Sequence, residues 1–319
     1  MSTFIETTHV EHHAPRNGWQ LFKMLATGQW RPGSAWHNPG YRRKFLLRSL
    51  ASPLVTSKLL SALSKQPNLE TLLKAQPGLP CRLHRPYLSV NTRRTQALSA
   101  LDFHYKQLIR LLPATLLLSH WSATGANLAQ LTGKNGEQYR IRLASLSMLD
   151  KEGEATLVFF DENDTVLAEM TFTLCQRNGK PTLFIGGLQG AKNWVPHEMI
   201  QSATKACHGF FPKRLLLETV CHLAPLLHAS QIQAVGNDTH IYRNWRYAKK
   251  KKDKLHADYD SFWLSMGGEP GKDGYFTLPD VITRKPMEEI ASKKRAEYRR
   301  RYELLDSLAA QVISTIRTR

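Results

Sequence analysis

His240 and Tyr242 stand one residue apart in the segment GNDTHIYRNW, directly after a short apolar segment that is typical of a strand. Imidazole and phenol groups are common proton donors and acceptors in catalysis, and a neighbouring amide or carboxylate, here Asn237 or Asp238, can orient them. Ligands often bind at a sheet edge where a strand ends. The segment therefore predicts a catalytic pair, although a junction anchored by buried aromatic rings would show the same pattern.

Asp258 and Asp260 lie two residues apart in the segment KLHADYDSFW. Paired carboxylates can bind a metal ion, but an Asp-x-Asp metal site needs an apolar strand before it, and KLHA is not one. Asp260 instead precedes SFWLSM and two glycines, which predicts the N-cap of a short helix that ends before Gly267. Asp258, just outside that helix, is predicted to pair with a nearby cation and to add a polar group to the catalytic site.

Three glycines, Gly186, Gly187 and Gly190, occur in the segment IGGLQG, between strand-like and helical sequence. Glycines at such a position let backbone N–H groups approach a phosphate, and a helix start adds a favourable dipole. The spacing matches neither a dinucleotide-binding motif nor a Walker loop. A phosphate contact and a bulge at the strand end both fit this pattern.

Other common catalytic and metal-binding motifs do not occur in the sequence. The four cysteines form no CxxC pair and no zinc-ligand spacing, and no GxSxG or HExxH motif is present. We therefore expect no metal site and a reduced, cytoplasmic protein. We also expect no signal peptide, and no apolar run approaches the roughly 18 residues of a membrane-spanning helix.

Three parts are predicted along the 319 residues: a basic helical region over 1–112, a core over 113–285 and a basic C-terminal helix over 286–319. In the first part, Ser52-Pro53 and Asn68 are typical helix starts, and leucines recur at helical spacing after Thr95.

The core shows strand patterns that are followed by helical ones. Turn dipeptides such as Asn-Gly separate four strand-like segments that begin near residues 139, 155, 166 and 182, which predicts an antiparallel meander. Two helical segments and a short strand over 231–235 follow. This order predicts an α+β fold, in which helices pack on a mostly antiparallel sheet. The stretch GGEPGKDG from residue 267 is expected to be a loop.

Positive charge is concentrated at the two ends of the chain. Residues 1–112 contain 16 Lys and Arg against 4 Asp and Glu, residues 113–238 contain 10 against 11, and residues 239–319 contain 18 against 11. A neutral core with basic ends indicates an anionic partner. The run Lys249–Lys252 and the run Arg299–Arg301, both beside aromatic residues, are predicted to contact an anionic membrane surface or nucleic acid.

Four segments together resemble the VirK/YbjX family of enteric bacteria: PTLFIGGLQG, ATKACHGFFPKRLLLE, GNDTHIYR and DYDSFWLSMGG. The similarity extends over most of the chain. It implies a bacterial protein of the cytoplasm or the inner-membrane surface that is linked to virulence and to resistance against cationic antimicrobial peptides.

The order of the core elements is also similar to that of the acetyltransferases that use acetyl-CoA. This resemblance implies acetyl-CoA or acyl-CoA as the acyl donor and Tyr242 as the group that protonates the departing thiolate. The implied contacts to the donor are Gly187, Gln189, Gly190 and Lys205. The chain departs from that family because the Gln/Arg-x-x-Gly-x-Gly/Ala loop is absent and two helices follow the glycine-rich strand instead of one.

Two classes of function therefore stay open. One is an acyltransferase at the inner membrane that supports envelope integrity and peptide resistance. The other is a non-enzymatic protein whose basic ends bind anionic lipid or nucleic acid.

Overall fold

Residues 1–84 and residues 85–319 form two compact units. The structure is a computed structural model, and it describes residues 14–247 and 258–318. No helix within these two ranges is long and apolar enough to cross a membrane. The division of the chain at residues 112 and 285 remains a prediction.

The first unit is helical within its described residues. Its helices are α1 (Gly18–Thr27), α2 (Pro39–Ala51), α3 (Pro53–Leu63) and α4 (Leu69–Ala75). The side chain of Asn38 caps α2 by accepting hydrogen bonds from the backbone of Gly40 and Tyr41. Trp36 is fully buried and donates from its indole nitrogen to the carbonyl of Pro77, at 2.8 Å. A helical first part is therefore confirmed.

The second unit is built around one sheet. Its strands are β1 (Ala126–Thr132), β2 (Gln138–Ala144), β3 (Ala155–Phe160), β4 (Val166–Arg177), β5 (Lys180–Gly190), β6 (Gln231–Val235), β7 (Glu269–Pro270) and β8 (Tyr275–Leu278). They lie in the order β1-β2-β3-β4-β5-β6-β8-β7. Every neighbouring pair is antiparallel except β5 and β6, which are parallel. The predicted α+β fold and its antiparallel meander are confirmed.

Within the stretch from residue 267 that was predicted to be a loop, only Glu269 and Pro270 are strand, and they form one side of a short hairpin. β7 is only two residues long, and Gly271 donates its backbone N–H to the carbonyl of Tyr275 at 2.7 Å. Gly274 adopts a positive φ of 78°, which suits a tight turn. The glycines and proline that make this turn are the residues that hide the strand pattern.

Six helices of the second unit are α5 (Arg94–Leu111), α6 (Ala114–His120), α7 (His197–Ala206), α8 (Pro212–Leu226), α9 (Tyr259–Ser265) and α10 (Arg295–Arg317). Both α5 and α8 pack on β4. The C-terminal helix begins nine residues later than the predicted start at Pro286. The chain is extended at Ile290, which is buried, and burial of this side chain interrupts the helical path.

The outer strand β1 is covered by α10. The side-chain amide of Gln311 donates to the carbonyl of Gln130 and accepts from its backbone N–H, with both distances 2.9 Å. Thr315 donates its hydroxyl to the carbonyl of Leu128. These side chains therefore occupy backbone groups that an edge strand would otherwise present to solvent.

Two fully buried histidines are held where helices meet the sheet. His104 of α5 accepts a hydrogen bond through Nδ1 from the backbone N–H of Leu174 in β4, at 3.1 Å. His120 ends α6 and is equally buried. Burial lowers the pKa of His104 to about 3, with a smaller effect from the nearby His120, whose own pKa burial lowers to about 4.

These two histidines predict how stability depends on pH. Their ordinary pKa is 6.5, so between that value and about pH 4 the unfolded chain binds protons that the folded protein excludes. The free energy of unfolding therefore falls as the pH falls, by up to about 1.4 kcal/mol per pH unit for each histidine. In chemical denaturation, the variant His120→Leu should show a pH slope smaller by about that amount. An unchanged slope would contradict the prediction.

Candidate functional site

Three alternate acids in the segment between β2 and β3 are all buried: Asp150, Glu152 and Glu154. Asp150 forms an ion pair with Arg85, and Glu154 accepts a hydrogen bond from the hydroxyl of Tyr105. A buried carboxylate is costly unless hydrogen-bonding partners surround it. The backbone of this segment therefore brings three carboxylates into the protein, each to its own polar partner.

Glu152 lies against the glycine-rich end of β5. Its carboxylate oxygens accept hydrogen bonds from the side-chain amide of Gln189, at 3.0 and 3.1 Å. A Cβ atom on Gly186 would overlap the backbone carbonyl of Glu152, and one on Gly187 would overlap its Oε2. The register of β4 and β5 shifts opposite Gly186, so the bulge is present. The two glycines therefore make room for the backbone carbonyl and the carboxylate of Glu152.

The sheet opens beside this carboxylate. β5 pairs with β6 only over Thr182–Ile185, and Val235 ends β6. Further along β5, the backbone N–H of Leu188 donates to the hydroxyl of Tyr259 at 3.1 Å. The hydroxyl of Tyr259, on α9, therefore accepts the hydrogen bond from Leu188 that β6 would accept if it continued beside β5.

Tyr242 and His240 reach the same place from the loop after β6. Burial, and then the negative charge and hydrogen bonding of Glu152, raise the pKa of Tyr242. The ring of His240 lies 5.0 Å from the rings of Tyr242 and Tyr259 and is almost completely buried. Its Nδ1 accepts a hydrogen bond from the backbone N–H of Tyr242, at 3.3 Å. His240 therefore orients the backbone that carries Tyr242.

These side chains form what we call the Glu152 cluster: Glu152, Gln189, His240, Tyr242 and Tyr259. Burial, and then the charge of Glu152, also raise the pKa of Tyr259. Both phenols are consequently protonated at neutral pH. Tyr242 is 8% exposed and Gln189 is half-buried, so the cluster reaches the surface through these two side chains.

The structure brings together four of the seven predicted site residues: Gly187, Gln189, His240 and Tyr242. Gly190 ends β5, and a Cβ atom there would lie 3.6 Å from Cε of Lys213. Lys205 is exposed in the last turn of α7, and no described contact links it to the cluster. The helix after the glycines begins only at His197, so the glycines do not run directly into a helix start.

Asp258 is the N-cap of α9, and the predicted cap at Asp260 is wrong. The side chain of Asp258 accepts hydrogen bonds from the backbone N–H of Ser261 and from the amide of Asn237, at 3.1 and 3.0 Å. Hydrogen bonds from Ser261 and Asn237 lower the pKa of Asp258 to about 2. Asp260 accepts instead from the backbone N–H of Asn237, at 2.7 Å. Both acids thus hold the loop after β6, and a catalytic role for Asp258 remains a prediction.

Sequence reasoning missed Glu152 and Lys213. Glu152 stands in the segment DKEGE, whose composition is typical of a solvated turn. The alternation of three acids directly before an apolar strand is the one signal that could have singled it out. Lys213 lies in the first turn of α8 and approaches Gly190 only through tertiary packing. No local pattern reports such a contact.

Fold and site together define an α+β protein in which a buried carboxylate and two tyrosines lie at an opening of a mostly antiparallel sheet. The family model described as "Protein of unknown function (DUF535)" matches residues 34–314. The chain belongs to this family, and the predicted VirK/YbjX resemblance is confirmed.

Three relatives illustrate the range of similarity. The chain is 51% identical over 297 residues to the "Uncharacterized protein YbjX" of Escherichia coli K12, which covers 93% of this chain and 90% of that protein. It is 32% identical over 194 residues to an "Uncharacterized protein" of Haemophilus influenzae, covering 58% and 59% of the two chains. A second Haemophilus influenzae protein is 34% identical over 142 residues, covering 44% and 46%.

Because Glu152 lies against β5, replacing Gly187 or Gly190 by alanine should lower the free energy of unfolding by different amounts. Gly187→Ala should lower the free energy of unfolding by about 1–3 kcal/mol, because the added methyl group overlaps a buried carboxylate that has little room to move. Gly190→Ala is the matched control, since its methyl group would meet only ordinary contacts, and we expect a change within about 0.5 kcal/mol. Chemical denaturation measures both variants. Equal effects would show that Glu152 does not depend on the glycine.

Proposed function

We propose that the second unit transfers an acyl group from a thioester such as acetyl-CoA or another acyl-CoA, and that the Glu152 cluster handles the proton. The observation that carries the proposal is the convergence of Gln189 and Tyr242 on the buried carboxylate of Glu152, with His240 packed against Tyr242. Gln189 lies on β5, and the other two residues lie on the loop after β6. His240 and Tyr242 were predicted as proton donors or acceptors from their sequence context, and Gln189 was implied as a donor contact by the acetyltransferase resemblance.

The opening in the sheet supports this choice of chemistry. The parallel strands β5 and β6 pair over four residues, after which β5 continues to Gly190 without a described strand beside it on the β6 side, and the hydroxyl of Tyr259 accepts from Leu188 there. A crevice where parallel strands separate is a common place for ligands to bind. The acetyltransferase resemblance was based on antiparallel strands, a glycine-containing strand end, helical sequence and another strand followed by a tyrosine, and this strand, β6, is the one that runs parallel to β5.

Tyr242 can supply the proton that the departing sulfur needs. The acceptor's nucleophile forms a bond to the thioester carbonyl carbon, and the carbon–sulfur bond breaks. The departing sulfur takes the hydroxyl proton of Tyr242, and the proton released by the acceptor restores it. At neutral pH the hydroxyl of Tyr242 carries its proton, as a phenol does at its ordinary pKa of 10.0. His240 holds the backbone of Tyr242, while Glu152 and Gln189 fix the side of the cluster that faces β5.

Lys213 is the cation that best fits the phosphates of such a donor. Its ammonium group would lie 3.9 Å from a Cβ atom on Gly190, at the end of β5 and in the first turn of α8. Burial lowers the pKa of Lys213, and a phosphate would compensate this cost. Lys213 takes over the role that the resemblance implied for Lys205.

A role in envelope integrity and peptide resistance completes this proposal. It rests on the family resemblance and on the positive charge at both ends of the chain, which suits a protein that acts at the inner-membrane surface from the cytoplasm. The exposed arginines Arg299 and Arg300 belong to this charge. Arg301 is also used inside the fold, since its guanidinium lies 4.6 Å from the ring centroid of Phe210.

A binding protein without catalysis is the second candidate. The same cations favour it, because anionic lipid and nucleic acid both bind clusters of Lys and Arg. The two candidates differ at the hydroxyl of Tyr242, whose proton only an enzyme uses.

Replacement of one hydroxyl separates these candidates. Tyr242→Phe should lower the release of free CoA from acyl-CoA by about a hundredfold or more, because the departing sulfur loses its proton donor. Calorimetric titration should show acyl-CoA affinity within about threefold of the natural protein. The four cysteines are buried, so a thiol reagent will report mainly the released CoA.

Tyr275→Phe is the matched control, since it removes a buried hydroxyl that contacts Ser89 outside the cluster. Equal turnover in the two variants would contradict the proton path. Absence of CoA and acyl-CoA binding at about millimolar concentration would leave the enzyme proposal without support.

Replacement of the lysine run tests whether the anionic partner is a membrane surface. Lys249–Lys252 lie outside the described residues, and their role follows from charge alone. Each cation near an anionic bilayer is worth about 1 kcal/mol, so glutamine at all four positions should weaken binding to anionic vesicles by about a thousandfold. Co-sedimentation with anionic and neutral vesicles measures this change. Equal sedimentation of both proteins would contradict the membrane role, and tight binding to duplex DNA would favour nucleic acid.

A further inference from the structure

Helix α2 exposes its leucines instead of burying them. Its buried residues are Phe45 and Ser49, whereas Leu46, Leu47 and Leu50 are 37%, 66% and 67% exposed. Positions 46, 47 and 50 lie on one stripe of a helix. A surface helix normally turns such a stripe towards the core. The outward stripe of α2 is therefore available for a contact outside the first unit's own core.

Leu54 adds a fourth side chain directly after α2. It lies in the first turn of α3 and is 77% exposed. We call Leu46, Leu47, Leu50 and Leu54 the leucine face. Four large apolar side chains within nine residues form more apolar surface than the scattered exposed leucines of an ordinary protein surface.

Cations flank these leucines. Arg43, Lys44 and Arg48 are exposed on the same helix. Residues 14–84 contain eleven Lys and Arg and one acid, Glu70, and Glu70 pairs with Lys74 at 2.8 Å. The ligand of this surface must therefore be both apolar and anionic.

Charge and polarity select among the candidates for such a ligand. A second copy of the chain would bring two strongly positive surfaces together, which is unfavourable. Nucleic acid would engage the cations but would leave four leucines in water. An anionic bilayer accepts leucines into its apolar layer while its headgroups neutralise the flanking cations.

We propose that the leucine face is the surface through which the first unit inserts into an anionic lipid bilayer. The contact is peripheral: the leucines enter the boundary between headgroups and acyl chains, and Arg43, Lys44 and Arg48 stay at the headgroups. The surface lies in residues 43–54, outside the Glu152 cluster, and the proposal does not depend on acyl transfer.

The size of the expected effect follows from these contacts. Each leucine that leaves water should raise partitioning about tenfold or more, and each flanking cation should raise it about fivefold. The double variant Leu47→Ser/Leu50→Ser should therefore bind vesicles of phosphatidylglycerol and phosphatidylethanolamine at least about a hundredfold more weakly. Both positions are exposed, so the thermal unfolding of the full-length protein should be unchanged.

A control variant with equally exposed apolar residues elsewhere is available. Leu118 and Val281 are 45% and 74% exposed in the second unit, and Leu118→Ser/Val281→Ser should bind the vesicles as the natural protein does. The triple variant Arg43→Gln/Lys44→Gln/Arg48→Gln should lose about a hundredfold, and vesicles of phosphatidylcholine should bind all variants weakly.

A fluorescent label reports insertion directly. All four cysteines are buried, so a cysteine introduced at Leu50 can be labelled selectively with an environment-sensitive dye. The emission should shift to shorter wavelength on addition of anionic vesicles, and the same dye at Leu118 should not shift. A shift at neither position would overturn the proposal.

Two further outcomes would also overturn it. Vesicle binding that is unaffected by Leu47→Ser/Leu50→Ser would mean that the cations alone hold the protein at the surface. Self-association in sedimentation velocity that this double variant abolishes, without any dye shift on vesicles, would assign the leucine face to a second copy of the chain. Acyl-CoA binding, measured on the same variants, should be unchanged, so failure here can be distinguished from failure of the proposed acyl transfer.

Discussion

Burial of the Glu152 carboxylate is the constraint on which the second unit's polar interior depends. A carboxylate without solvent needs several partners at fixed positions, and here they include Gln189 of β5 and Tyr242 of the loop after β6. The carboxylate of Glu152 requires glycine at position 187 of β5, and its backbone carbonyl requires glycine at position 186. One charged side chain thus links the bulge, the opening between β5 and β6 and the orientation of two tyrosines, so the geometry of the candidate site and the stability of the sheet cannot be varied independently.

The two units combine charge and apolar surface differently. In the second unit, acids are drawn inside and paired, with Asp150, Glu152 and Glu154 as the clearest case. In the first unit, the described residues contain almost no acids, and leucines remain outside. If the first unit holds the protein at a bilayer, the second would meet lipids or lipid-linked acceptors at high local concentration. Acyl transfer and membrane association would then reinforce one another without a shared residue.

The elements of the core could be predicted from sequence because their signals are local. Strand alternation, turn dipeptides and the helical segments over 197–208 and 212–227 report structure within a few residues. The same holds for the position of His240 and Tyr242 directly after β6, because a short apolar segment precedes them. Glu152 could not be found in this way, because its burial depends on glycines more than thirty residues later in the chain. The N-cap of α9 was predicted at Asp260 instead of Asp258 for the same reason. Both carboxylates bond to Asn237, which is distant in the sequence.

The side-chain amide of Gln311 makes the two backbone hydrogen bonds to β1 that a neighbouring strand would make. These bonds cannot form until α10 has been synthesised. β1 emerges from the ribosome early, whereas α10 is made after all eight strands. Until α10 docks, the carbonyl of Leu128 and both backbone groups of Gln130 are open to pairing with another nascent chain. Helix α10 therefore closes the aggregation-prone edge of β1 only after the described strands have all been made, and truncations that remove α10 should be more harmful in the cell than their distance from the candidate site suggests.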